Sequence, residues 1–187
     1  MAGFEGGTVT SVDGLAALYA QPTELYELDH VDAVGRAFIA ASPFLVLATG
    51  SRHGLDCSPK GDRPGNNKID GLKNLIEDPH IGLIFFVPGA NETYRVNGRA
   101  RVSVDADLKR RFIVNGKEPA TVMVVTVELT FPHCAKALIR SDLWKAGSGG
   151  RPQGVPTFGD FTAARNPGTD SAVFDVAYTK RMSSELY

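Results

Sequence analysis

The segment Thr93–Val104 constrains the fold of this chain more than any other, because it alternates polar and apolar residues over twelve positions. This period of two is typical of a β-strand that buries one face and exposes the other. A helix would bring residues three and four positions apart onto one face, and the segment does not follow that spacing. The segment therefore predicts a long strand of a half-buried sheet.

Five other segments also predict strands and are separated by turn-forming residues. Phe44–Thr49, Ile81–Val87 and Thr121–Leu129 are rich in apolar and β-branched residues, and His133–Trp144 fits a further strand. Ser51–Gly54 supplies a turn after Phe44–Thr49, so that Leu55–Pro59 is its hairpin partner. About six strands in hairpin order predict a mainly β fold with peripheral helices, built on an antiparallel sheet or a small barrel.

Helical spacing of apolar residues is confined to the ends of the chain and to short segments between strands. The predicted helices are Leu25–Phe38, Ile69–Glu77, Asp105–Phe112, Phe158–Ala164 and Ser171–Met182. A glycine-rich linker precedes the last two of these helices. We therefore expect an N-terminal arm at residues 1–24 and a β-rich domain at 25–146. Residues 147–187 form a linker and a helical tail that packs on the domain or on a partner subunit.

Composition restricts the partners that the chain can have. The 187 residues include 20 basic and 21 acidic side chains, and the net charge of −1 attracts neither nucleic acid nor an anionic membrane. No apolar run approaches the ~20 residues needed to span a bilayer, and the first residues lack the basic start of a signal peptide. We therefore expect a cytoplasmic protein in which Cys57 and Cys134 are reduced, buried thiols.

The segment Ser58–Lys68, SPKGDRPGNNK, concentrates cations and glycines between a strand and a helix. Its three cations and the free N–H groups of the following helix favour a phosphate-like anion. The alternative is a solvent-exposed turn in which Asn66 and Asn67 cap the helix. The residues alone leave both interpretations open.

No motif identifies a catalytic side chain or a metal site. The four histidines lack the spacing of zinc ligands; they are His30, His53, His80 and His133. Neither the phosphate-binding motif G-x-x-x-x-G-K-[ST] nor the dinucleotide-binding motif G-x-G-x-x-G occurs in the sequence. The G-x-S-x-G elbow of serine hydrolases is also absent. We therefore predict no metal, and no catalytic residue can be named.

Two groups of residues are candidates for contact with a flat ligand. Arg95, Arg99 and Arg101 alternate along the long strand, where they either line a ligand groove or face solvent or a dimer partner. Arg140 and Trp144 lie four residues apart, and a guanidinium and an indole ring can together sandwich a planar molecule. Packing in a core or an interface is the ordinary role of such a tryptophan, and this alternative stays open.

Four segments, in this order and spacing, carry a resemblance to a known family: LATGSRHGLDCSPKGD, RPGNNKIDGLKNLIEDPHIGLIF, ETYRVNGRARV and HCAKALIRSDLW. From about Leu25 to Trp144 the chain resembles the FMN-binding split barrels of the pyridoxamine 5′-phosphate oxidase-like family. The resemblance implies a six-stranded antiparallel split β-barrel that forms a homodimer. It also implies one FMN in each of two clefts between the subunits.

The resemblance implies a set of cofactor-binding residues. Ser58 and Lys60 would lie near the FMN phosphate or ribityl chain, and Thr93 and Arg95 would approach the flavin. The remaining implied contacts are Asn66, Asn67 and Lys68 at the phosphate, and Arg140 and Trp144 on a C-terminal strand that often comes from the partner subunit.

By resemblance, the protein is an FMN-dependent oxidoreductase that acts on an unidentified small molecule. Pyridoxamine 5′-phosphate itself is not implied as the substrate, because the R-x-H-x-R type run of the true oxidases does not follow Trp144. The alternative is a non-catalytic protein of the same fold that binds or stores flavin, deazaflavin or haem. A structural dimer with an empty cleft is a third interpretation.

The chain departs from the family at the junction of Asp62 and Arg63. Related sequences carry an additional strand and turn between these positions, on the order of twenty residues. Either the chain has lost this piece or the sequence omits it. We expect an omission, because losing a barrel strand would leave N–H and C=O groups of the sheet unpaired.

Overall fold

A computed structural model describes residues 4–5, 7–19, 26–61, 69–146 and 150–185, which fall into two compact units, Met1–Arg140 and Ser141–Tyr187. The strands are β1 (Phe4–Glu5), β2 (Thr8–Val9), β3 (Phe44–Ser51), β4 (Gly54–Gly61), β5 (His80–Phe86), β6 (Thr93–Ser103) and β7 (Val122–His133). The helices are α1 (Val12–Ala16), α2 (Ala33–Ala41), α3 (Asp70–Glu77), α4 (Ala106–Arg110), α5 (Lys136–Arg140), α6 (Leu143–Ala146), α7 (Phe158–Arg165) and α8 (Ser171–Glu185).

Five strands of the first unit form one antiparallel sheet in the order β4-β3-β5-β6-β7. All five were predicted from the sequence, and the alternating segment is confirmed as the long strand β6. β1 and β2 form a separate two-stranded hairpin. Within the described ranges the main sheet does not close, so the predicted six-stranded barrel is not observed.

The segment His133–Trp144, which was predicted to be the sixth strand, forms helices α5 and α6 after its first residue. Lysine, alanine, leucine and arginine dominate α5, and all four have high helix propensity. The Ile139 N–H donates to the Ala135 carbonyl at 3.0 Å, which closes a helical turn. The strand prediction was therefore wrong, and Arg140 and Trp144 lie on helices.

The first predicted helix begins later than its apolar spacing indicates. Asp32 is the N-cap of α2, and its carboxylate accepts the Gly35 N–H at 2.7 Å. Leu28 instead pairs with Thr130 through two backbone hydrogen bonds of 2.9 and 2.7 Å. Because Thr130 lies on β7, this pairing gives hydrogen-bond partners to its backbone N–H and C=O on the outer edge of the strand.

The hydrophobic core covers one face of the sheet, hereafter the core face. Two clusters form it, one of Leu47, Leu75, Ile81 and Ala100, and the other of Phe85, Tyr94 and Val96. α3 contributes Leu75 to the first cluster, and α2 packs Phe38 and Ile39 against the second. Alternate residues point to the other side, hereafter the open face, which includes Val46, Ala48, Gly82, Ile84, Arg95 and Asn97.

A β-bulge interrupts the pairing of β6 with β7. Asn97 pairs with Leu129, whereas Gly98 pairs with Val127, so that Glu128 is the extra residue. A methyl group on Gly98 would overlap the backbone carbonyl of Thr126. Glycine at this position is therefore needed for the close approach of the two strands.

β4 is an edge strand of the sheet. It pairs with β3 along its whole length, and no strand in the described ranges pairs with its other side. The sequence runs directly from Asp62 to Arg63, and the sheet ends at β4 without a further described strand. Pro59 lies within β4, as is usual for proline in an edge strand.

Both cysteines, Cys57 and Cys134, are exposed, so the expectation of buried thiols was wrong.

The second unit is built on the helix pair α7 and α8. Thr157 and Asp160 form a reciprocal capping box at the start of α7, with hydrogen bonds of 3.0 and 2.8 Å. Phe158 of α7 stacks on Tyr178 of α8, with ring centroids 5.0 Å apart.

Among the helices of the described ranges, none has the length and apolar content needed to cross a bilayer.

Candidate functional site

The sheet register separates the predicted cofactor-binding residues into two groups on opposite faces. Ser58 pairs with the core residue Leu47, and Lys60 lies two positions further along the same face. Thr93 and Arg95 project from β6 to the open face. One continuous cluster of these residues within a single chain is therefore not observed.

Ser58 and Lys60 line a cavity of about 240 Å³ beside the start of α3. The Ser58 hydroxyl oxygen is buried and has no hydrogen-bond partner among the described residues. Asp56 and Asp70 line the same cavity, so two carboxylates accompany the Lys60 ammonium there. Asn66, Asn67 and Lys68 lie outside the described residues, as does Arg63. Their predicted contact with a phosphate stays a prediction.

The open face carries a second cavity of about 320 Å³, which is within the range of roughly 300–1,000 Å³ for small-molecule pockets. Val46, Ala48, Gly82, Ile84 and Phe86 of β3 and β5 form its apolar lining. The polar residues of the cavity are Thr93, Arg95 and Asn97 of β6, Cys57 of β4 and His133 of β7. α5 contributes Ala137 and Leu138. The cavity therefore combines apolar surface with a few polar side chains at its margin.

A row of small side chains crosses the floor of this cavity. Cys57, Ala48, Gly82 and Asn97 lie side by side on four neighbouring strands. Between Cys57 and Asn97 no side chain is larger than a methyl group, over a width of roughly 14 Å at the usual spacing of strands. A methyl group on Gly82 would stand 3.6 Å from the Asn97 side-chain oxygen and 3.8 Å from the Ala48 Cβ. A planar ring system can therefore lie against the sheet here.

Thr93 lies deepest among the polar residues of the cavity. It is 3% exposed, and its hydroxyl oxygen has no hydrogen-bond partner among the described residues. Leaving a buried hydroxyl unpaired costs about 1–3 kcal/mol. A ligand in the cavity would supply the missing partner. Two residues further along β6, the Arg95 guanidinium lies 4.8 Å from the centre of the Phe131 ring. This cation–π contact holds the Arg95 side chain against β7.

A further cavity of about 630 Å³ adjoins the first on the open face. The two share Ala48, Cys57, Gly82 and Asn97, and together they are hereafter the groove. The second cavity adds Asp78, His80 and Glu128 to the lining. Asp78 accepts hydrogen bonds from both the backbone N–H and the ring of His80, and these bonds lower the pKa of its carboxyl group.

Sequence reasoning missed His80, because the histidines were compared only for metal-ligand spacing. The signal that would have identified it is the pair Asp78 and His80 in the turn before a buried strand. In the part of the chain that the structure describes, no group of three or more metal-ligating side chains occurs.

The other predicted contacts lie elsewhere. Arg140 is the last residue of α5 in the first unit and is not among the described residues that line the groove. Trp144 lies on α6 in the second unit. Arg99 and Arg101 share the open face with Arg95 but are exposed. Arg95 lines the groove, whereas contact of Arg101 with solvent or with a dimer partner stays a prediction.

Comparisons with known proteins give one family match and several remote structural likenesses. Residues 31–134 match the family model described as Pyridoxamine 5′-phosphate oxidase. A sequence search of curated proteins finds no match.

Three solved structures illustrate the likeness. HupZ from Group A Streptococcus is 19% identical, with 55% of this chain and 94% of that chain covered and a TM-score of 0.45. General Stress Protein 26 from Bacillus anthracis is 16% identical, with 52% and 89% covered and a TM-score of 0.40. A conserved hypothetical protein from Mycobacterium tuberculosis is 13% identical, with 74% and 99% covered and a TM-score of 0.44.

Proposed function

The chain belongs to the pyridoxamine 5′-phosphate oxidase family, and on that premise we propose that it binds FMN non-covalently in the groove. We propose further that it is a flavin-dependent oxidoreductase acting on a small molecule. When bound, FMN supplies the transfer of hydride or electrons, for which no protein side chain is suited. The side chains of the groove bind and orient the ring and exclude water from one of its faces.

The observation that carries this proposal is the buried hydroxyl of Thr93, which has no hydrogen-bond partner among the described residues and lies beside Arg95 at the margin of an apolar floor. A planar ring fits against Ala48 and Gly82, where no larger side chain intervenes. Thr93 and Arg95 offer hydrogen bonds to polar atoms of such a ligand. The guanidinium also favours negative charge on a reduced ring.

FMN titration tests the proposal. We expect the purified protein to bind FMN, and Arg95→Ala to weaken binding by about 1–3 kcal/mol, because a charge-assisted hydrogen bond is lost. The matched control is Arg101→Ala, which removes the same side chain from the same face of the same strand outside the groove. FMN fluorescence quenching gives the affinity. A wild-type protein that does not bind FMN, or equal losses in the two variants, would contradict the proposal.

We also propose a homodimer in which each FMN site is shared between two subunits. Ser58 and Lys60 lie on the core face and Thr93 and Arg95 on the open face, so that the two groups of one chain point in opposite directions. A site that takes one group from each subunit would unite them. The proposed dimer therefore accounts for a division that a monomeric site leaves unexplained.

Subunit complementation tests the shared site. One variant carries Ser58→Ala with Lys60→Ala, and the other carries Thr93→Val with Arg95→Ala. In a shared site, coexpression of the two variants gives heterodimers with one intact site, or about a quarter of all sites at random pairing. If both groups serve the same subunit, the mixture binds no more FMN than either variant alone.

Turnover distinguishes an enzyme from a carrier. The bound flavin is reduced with NADPH or dithionite and then mixed with candidate acceptors, and its absorbance is followed. We expect reoxidation by a small organic acceptor at a rate above that of free reduced FMN. Reoxidation no faster than that of free FMN would favour a flavin-binding or storage protein of the same fold.

A further inference from the structure

We propose that His80 is the proton-transfer group of the groove, held in one tautomer by Asp78 and Arg99. The corresponding ligand carries a hydroxyl or carbonyl oxygen that loses or gains a proton as it reacts. This inference rests on the proposed function, because it assigns a role to side chains in the half of the groove beyond Asn97.

Two hydrogen bonds fix the position of the His80 ring. The Asp78 Oδ1 accepts the backbone N–H of His80 at 3.0 Å and lies 2.5 Å from its Nδ1. The backbone bond anchors the carboxylate at the turn between α3 and β5. Because a carboxylate accepts hydrogen bonds, Nδ1 carries the proton and Nε2 has the free lone pair.

Arg99 leads to the same assignment from the other side of the ring. Its Nη1 lies 2.9 Å from the Nε2 of His80, its cross-strand neighbour on β5. A guanidinium only donates, so Nε2 must be the acceptor. The two partners agree on one tautomer, with the proton on Nδ1 and with Nε2 as the acceptor.

His80 faces the floor on which a ligand would lie. His80 and Gly82 are alternate residues of β5 on the open face, and their Cα atoms are about 6–7 Å apart at the usual strand rise. Both line the larger cavity of the groove, together with Asn97 and Glu128. A ligand over Gly82 therefore brings its oxygen within reach of the imidazole.

The proposed proton transfer involves only the ligand oxygen, His80, Asp78 and Arg99. When a ligand hydroxyl takes the place of Arg99, its O–H bond breaks, an Nε2–H bond forms, and Asp78 compensates the imidazolium charge. The displaced Arg99 remains close enough to pair with the ligand oxygen. In the reverse direction Nε2–H returns the proton. Among the described residues, the charged groups that face this half of the groove are Asp78, Arg99, Glu128 and Asp56.

The chain contains a matched control for this arrangement. His30 lies 2.8 Å from the carboxylate of its neighbour Asp29, so it forms an aspartate–histidine pair of the same kind. In the described part of the chain this pair lines neither cavity of the groove. Variants at His30 therefore report what an aspartate–histidine pair does without a ligand site.

Nitrogen-15 NMR of the histidine rings tests the geometry without any cofactor. At neutral pH we expect the His80 signals, assigned with His80→Gln, to show protonated Nδ1 and free Nε2. Protonated Nε2 in the wild type would refute the arrangement.

The reaction is tested with FMN-loaded protein that has been reduced with dithionite and mixed with menadione, a naphthoquinone, between pH 5 and 9. We expect the wild-type reoxidation rate to vary with pH over this range, because a side chain of the groove transfers the proton. His80→Gln should lose this dependence and slow the reaction on the order of 10²-fold, the size of a general acid–base effect. His30→Gln should keep the wild-type profile.

The outcomes separate the two proposals. A wild-type protein that binds no FMN ends the proposed function and this inference with it. Normal FMN binding in His80→Gln together with an unchanged pH profile ends only the inference. A His30→Gln profile that changes as much as that of His80→Gln would also refute it, because the effect would then not depend on the groove.

Discussion

Thr93 and Thr130 show how the same side chain serves two purposes in one sheet. Both are nearly inaccessible, at 3% and 0% exposure. The Thr130 hydroxyl donates to the His30 carbonyl at 2.8 Å, whereas that of Thr93 has no partner among the described residues and faces a cavity. The Thr130 hydroxyl stabilises the fold. The Thr93 hydroxyl, on our proposal, binds a ligand.

The two threonines should therefore respond in opposite ways to replacement by valine. Thr130→Val leaves the His30 carbonyl unpaired and should lower the free energy of unfolding by about 1–2 kcal/mol. Thr93→Val removes an unpaired buried hydroxyl and should leave the unfolding free energy unchanged or raise it by ~1 kcal/mol, while FMN affinity falls. Urea denaturation without FMN gives the free energies, and destabilisation by Thr93→Val would show that its hydroxyl is paired.

At the level of single residues, the sequence predicted the face on which a side chain lies better than its exposure. The alternation of β6 placed Thr93 and Arg95 on one face, and the sheet confirms that placement. Cys57 was expected to be buried, but it is exposed because β4 is an edge strand. Local pattern does not distinguish an edge strand from a central one, since that depends on distant segments.

Among the elements, the strands were predicted more reliably than the segment that follows them. Four of the five strands combine β-branched residues with turn residues at their ends, and β4 was identified as the hairpin partner of β3. α5 was taken for a strand, since Ala137, Leu138 and Ile139 form a short apolar run that fits either type of structure. The groove depends on this difference, because α5 contributes Ala137 and Leu138 to its lining.

The bulge between β6 and β7 gives a prediction at the level of the element. Gly98→Ala would force its methyl group against the Thr126 carbonyl and should lower the free energy of unfolding by about 1–3 kcal/mol. Gly61→Ala is the control, because no atom lies within 4 Å of the added methyl group. Its effect should stay within about 0.5 kcal/mol. Equal effects in thermal or urea unfolding would show that the strands separate freely at Gly98.

At the scale of the whole molecule, the family and the antiparallel sheet could be predicted, whereas closure into a barrel could not. The family assignment rests on segments between residues 31 and 134, and these also contain the groove apart from α5. Closure requires a sixth strand, and the segment expected to supply it is helical. Whether a segment joins a sheet depends on the partners available to it in three dimensions.

The division into two units predicts that the first folds alone. Both core clusters and the groove lie before Ser141. A chain that ends at Arg140 should therefore keep the far-ultraviolet circular dichroism of the sheet and unfold cooperatively. FMN affinity of the shortened chain then reports whether Trp144 contributes to the site. A shortened chain without cooperative unfolding would show that the two units depend on each other.

The open edge at β4 has a consequence for how such chains change over evolutionary time. In the described part of the chain, neither core cluster contains a residue of β4. Gain or loss of a hairpin after this strand therefore alters little buried apolar surface, and its main cost is the loss of backbone hydrogen bonds along the edge of β4. Homologous proteins should differ in length beyond Gly61 while keeping the helix and strands that follow.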